Sequence, residues 1–141
     1  FGSFNDPALI DAALGLLLSD ELDIREAVRI AWTLSEDARH GRRAYAFMQR
    51  NFDALVERLP RDAAARFPMW GNKMCDQAAR DDMEAFFRER IGRYTGGPRN
   101  LAQALETISL CAEFKSKQQD SLVQFLQNRG RESHPRAGLT R

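Results

Sequence analysis

The chain has 141 residues, a formal net charge of +1 from 21 Lys+Arg against 20 Asp+Glu, and 43% hydrophobic residues. That length suits one domain with its own core, and the near balance of charge excludes a general electrostatic pull toward nucleic acid or an anionic membrane. The longest apolar run, Ala12 to Leu18, falls far short of the roughly 20 residues that a bilayer-crossing helix needs, so no membrane span is expected. All basic residues except Lys73, Lys115 and Lys117 are arginines, which suits bidentate pairing with carboxylates and equally reflects a base-composition bias. No signal peptide is visible, and a start at Phe1 rather than methionine predicts a processed or excised fragment.

Apolar residues recur at helical spacing almost throughout, and β-branched residues are few, so the pattern predicts an all-α protein. The first helix starts at Asp6-Pro7, with Asp6 as cap and Pro7 where no amide bond is needed, and buries Leu9, Ile10, Ala13, Leu14, Leu17 and Leu18. A polar break at 19–23 precedes a second helix carrying Ile24, Ala27, Val28, Ala31, Trp32 and Leu34, closed by the loop "SEDARHG". The third, about Arg42 to Leu59, has a broad apolar face built on Ala44, Met48, Phe52, Leu55 and Leu59, wide enough to need cover on two sides. Pro60 opens a fourth segment through Phe67 and Trp70, in which Pro68 and Gly71 predict a kink or break. Asp76 caps a fifth helix burying Met83, Phe86, Phe87 and Ile91. Gly96-Gly97 stops it, and Pro98 opens a sixth with Leu101, Ala104, Leu105 and Ile108. A separate short helix is expected from Asp120 or Ser121 through Leu126, then a polar, disordered tail over 129–141.

Hairpins open near residues 7, 41 and 77, a repeat of 34 to 36 residues, which is the size of one helix-loop-helix unit of a solenoid. The expected architecture is therefore six to eight helices in armadillo/HEAT-like hairpins stacked into a superhelical solenoid, with residues 1–128 as its body.

Chemistry is hard to find. A helical zinc hydrolase motif needs two histidines one turn apart, and the chain has only His40 and His134, so no catalytic or metal residue is predicted. Cys75 and Cys111 have no CxxC or Cys/His companion and read as small apolar packing groups rather than a disulfide framework. The acidic pairs Asp81-Asp82 and Glu36-Asp37 sit at helix ends, where capping accounts for them. "TGGPR" lacks the P-loop lysine and reads as punctuation between helices, and Arg88, Arg90 and Arg93 are interleaved with acids, which argues against nucleic-acid binding.

Four segments, in order, carry a resemblance. They are "SFNDPALIDAALGLLLSDEL", "AYAFMQRNFDAL" with Tyr45 and Phe52 at positions usually held by tryptophan, "CDQAARDDMEAFF", and the closing run Gly96-Gly97, Arg99, Leu101, Gln103-Ala104-Leu105-Glu106, Ile108, then Phe125-Leu126. Over roughly residues 3 to 126 the chain resembles the C-terminal helical domain of the aminopeptidase N family of zinc metallopeptidases, which includes the puromycin-sensitive and endoplasmic-reticulum aminopeptidases. The resemblance implies a non-catalytic domain that encloses the peptide cavity and gates access to it. Zinc and catalysis then belong to an upstream domain of the same polypeptide, acting on peptide substrates. The other reading is a free-standing helical-repeat adaptor that binds a partner protein. Arg99, set against the positive end of a helix dipole, is expected to reach a carboxylate, with Glu84 and Glu106 as candidates.

Overall fold

The computed structural model describes residues 5–132, and all regular structure within them is helical, as six α-helices and three 3-10 segments. α1 (Pro7–Gly15) starts where Asp6 Oδ1 accepts from the amides of Ala8 at 2.8 Å and Leu9 at 3.4 Å, with Pro7 at the position that has no amide bond to lose. It buries Ile10, Ala13 and Leu14, and the 3-10 turn Leu16–Leu18 adds Leu17. α2 (Ile24–Glu36) starts on Asp23, whose carboxylate accepts from the Arg25 amide at 2.9 Å. Its buried face is Ala27, Ile30, Ala31, Leu34 and Ser35, and the Ser35 hydroxyl is satisfied by donating to Trp32 O at 2.8 Å.

The single helix expected over 42–59 is instead two, α3 (Gly41–Arg50) and α4 (Phe52–Arg58), divided at Asn51. Asn51 has φ −117 and ψ 22, and its Nδ2 donates to Phe47 O at 2.8 Å, a side-chain bond to the same carbonyl that the helical ladder uses. The next segment, Ala63–Gly71, is 3-10 throughout rather than a kinked α-helix. Pro68 has no amide to donate and its ring obstructs an α-helical path, so the tighter winding prevails and buries Phe67, Pro68 and Trp70. α5 (Gln77–Phe87) begins at Asp76, whose Oδ1 accepts from Ala79 N at 2.9 Å. A 3-10 turn, Ile91–Arg93, then leads to Gly96 at φ 80, where the chain reverses into α6.

α6 (Gly97–Glu132) runs 36 residues without the break expected at Asp120-Ser121. Residues 112–129 contain no Gly or Pro, and Lys117 reaches back to Glu113 one turn away, so nothing interrupts the ladder and the potential caps are not used. The helix also takes in residues 129–132 of the expected tail; residues 133–141 lie outside the described residues.

The core is one cluster running from Ile10 to Ile108. α2 packs on α3, and α6 lies across the 3-10 segment Ala63–Gly71 and α5. Phe52 is the hub of an edge-to-face group, its ring centroid 5.6 to 6.4 Å from those of Phe67, Phe86, Phe87 and Tyr94. Trp32 and Trp70 meet edge-on at 5.8 Å. α1, α3 and α5 start at residues 7, 41 and 77, as the spacing predicts. Polar ties repeat the same period. Arg43 donates to Asp11 at 2.6 Å, Gln49 to Asp82 at 2.8 Å, Arg58 to Asp20 at 2.9 Å and Asn100 to Ala65 O at 2.8 Å, and Arg42 pairs with Asp76, over separations of 32 to 38 residues.

Candidate functional site

The ionisable groups that invite a catalytic reading are used elsewhere. Asp81 accepts from Gln77 at 2.8 Å and Arg80 at 3.1 Å along its own helix, and the Arg80 bond is the main cause of its lowered pKa. Asp82 instead accepts from Gln49 on α3, so the two neighbouring carboxylates point apart and share no proton. Glu36 pairs with Lys73 at 3.1 Å, and Asp37 is held well below the usual carboxylate range by the guanidinium and amide of Arg39. His40 is half-buried at the start of α3, with Nε2 3.5 Å from Asn5 Oδ1. No group of three His, Cys, Asp or Glu able to hold a metal ion exists among the described residues.

Arg99 lies exposed in the first turn of α6 and forms no ion pair with Glu84 or Glu106 among the described residues, which corrects the pairing expected for it. Glu84 is taken by Arg80 Nη1 at 2.5 Å, a partner one turn away on its own helix that needs no tertiary closure. Glu106, two turns along α6 from Arg99, is exposed.

The cysteine expectation is overturned as well. Cys75 and Cys111 are joined in a disulfide, Cα atoms 5.1 Å apart across 36 residues. The separation matches the interval between the helix starts at 41 and 77, and the packing of α6 on α5 brings the residue before the α5 cap beside the fifth turn of α6. That coincidence of spacing and period was the one signal that could have found the bond. Cys75 lies on the wall of a cavity of about 230 Å³ shared with Asp37, Arg42, Trp70, Lys73 and Lys115. The buried Trp70 Nε1 and Tyr45 hydroxyl have no hydrogen-bond partner among the described residues. Burial, and then the charge of Asp82, push the Tyr45 phenol well above its ordinary pKa.

Apolar surface is left at both ends. Leu9 is 54% exposed, against the expectation that it is buried, while Phe114, Leu122, Phe125 and Leu126 along distal α6 are 56 to 68% exposed. No helix among the described residues is long and apolar enough to cross a membrane.

Among the described residues the charged groups serve helix caps and ties between helices, in an all-α domain that leaves apolar side chains of α1 and distal α6 exposed. Residues 1–110 match the ERAP1-like C-terminal domain, and the chain belongs to that family, the C-terminal domains of ERAP1-like aminopeptidases. No relative among curated proteins matches it. The zinc that the resemblance implies for the parent enzyme finds no fit among the described residues. The cysteines are bonded to each other, His40 has no companion ligand among the described residues, and Asp37 and Asp76 are engaged by arginines. No metal-dependent step can therefore be routed through the described residues.

Proposed function

We propose that this chain is the non-catalytic domain of a zinc aminopeptidase, a helical solenoid that encloses the peptide cavity and gates entry to it. The upstream domain of the same polypeptide binds the zinc and removes N-terminal residues from peptides. The observation that carries this reading is the family match over residues 1–110. Helix starts at residues 7, 41 and 77 and polar ties one period apart support a solenoid, because each hairpin then contacts chiefly its neighbours. Such a stack moves as a rigid wall, which is what opening and closing over a cavity requires. Mass and metal content of the native product, purified from its source, test the proposal. The expected result is a protein several times the 16.1 kDa of this chain, carrying roughly one catalytic zinc. A zinc-free product of this chain's own size would overturn it and favour the adaptor that binds a partner protein.

A further inference from the structure

We propose that the Cys75–Cys111 disulfide is a redox-set fastening of α6, and that this domain works in an oxidising compartment. Little holds the distal part of α6. At 1.5 Å per residue its 36 residues extend about 54 Å, yet its buried side chains end at Ile108, with Cys111 and Ala112 half-buried and residues 113–129 exposed. The distal part thus bears as a lever on Leu101, Ala104, Leu105 and Ile108. Cys111 stands on the last turn that touches the body, where a covalent tie resists that lever best. Its partner, Cys75, precedes Asp76, which both caps α5 and pairs with Arg42 of α3, so the bond anchors α6 to a point already held by two other helices.

Formation of the bond needs an oxidant, which is an external disulfide, small or protein-borne. The thiolate of one cysteine attacks that disulfide and releases a thiolate, leaving a mixed disulfide. The second cysteine's thiolate then attacks the protein sulfur and expels the other half. Two protein thiols lose two electrons and two protons, and one external disulfide becomes two thiols. Both sulfurs belong to half-buried residues, within reach of such exchange. Lys115, one turn beyond Cys111, shares the wall of the cavity with Cys75. A reducing cytosol would hold the pair open, whereas a secretory, periplasmic or extracellular setting preserves it.

Thiols blocked at lysis in the native source, followed by mass analysis, test the compartment. The bonded pair is the expected result, and two free cysteines would overturn the proposal. Hydrogen exchange of residues 101–112 in the purified chain, before and after dithiothreitol, tests the fastening. Reduction is expected to speed exchange there by about tenfold or more while α2 changes little, and a Cys75→Ser/Cys111→Ser double variant should exchange at the reduced rate with or without reductant. If the double variant does not fold, reduction of the natural chain carries the test. Equal exchange in both redox states would show that Ala104 and Ile108 suffice, and would sink the idea.

Discussion

Three glycines around the start of α6 are expected to respond to alanine in three ways. At Gly97 an added Cβ would sit 2.5 Å from the Ile91 carbonyl oxygen and 2.8 Å from Ile91 Cγ1. A backbone oxygen cannot swing aside as a side-chain tip can, so the first turn of α6 must lift off the Ile91–Arg93 turn. Overpacking of this kind costs about 1–3 kcal/mol. Alanine's helix preference returns at most about 1 kcal/mol, and less at a helix start. The net loss is about 1–2 kcal/mol. Gly96→Ala meets open space but must hold φ 80, a left-handed conformation that costs a non-glycine residue about 1–2 kcal/mol. Gly92→Ala has open space and no positive φ. It is expected to be neutral or to stabilise by up to about 1 kcal/mol through the unfolded chain. Urea unfolding followed by helical circular dichroism and by the fluorescence of Trp32 and Trp70 measures all three. If Gly97→Ala proves as stable as Gly92→Ala, the close approach to Ile91 does not hold the α6 start and the reasoning fails.

Other outcomes follow from burial and charge. Ile108→Ala, at a fully buried position, should cost about 2–5 kcal/mol in the same unfolding assay, whereas Leu110→Ala, 60% exposed, should stay within about 0.5 kcal/mol. Tyr45→Phe removes a buried hydroxyl that has no partner among the described residues, so stability should hold or rise; a loss above about 1 kcal/mol would mean that the hydroxyl is satisfied. Arg99→Ala should leave the melting temperature essentially unchanged, because the exposed guanidinium pairs with no carboxylate among the described residues. The Arg43 hydrogen bond lowers the Asp11 pKa below its ordinary 3.8. A depressed folded value means that the tie between α1 and α3 contributes above the unfolded pKa and is lost as pH falls through the folded one. Carboxyl titration by NMR should give an Asp11 midpoint below 3.8 that returns toward it in Arg43→Met, and an unchanged midpoint would count against the tie.

What was legible in the sequence was local. Asp6 and Asp76 announce helix starts because a cap is a contact between residues two or three apart, and Gly96 announces a stop because its backbone φ of 80 is intrinsic to glycine. Helical spacing of apolar residues also located most of the core, and the interval between hairpin starts matched the starts of α1, α3 and α5. The four family-like segments supplied the functional reading, since no cluster of reactive side chains did. Only the tertiary structure decided what depends on which hairpin faces which. It joined Cys75 to Cys111, gave Glu84 to Arg80 instead of Arg99, and wound Ala63–Gly71 as 3-10 beneath α6. Periodicity states which face of a helix is apolar, but not how far along the chain its cover ends. For that reason α6 could continue past Ile108 as one exposed helix, with nothing in residues 112–129 to break it and no packing to bend it.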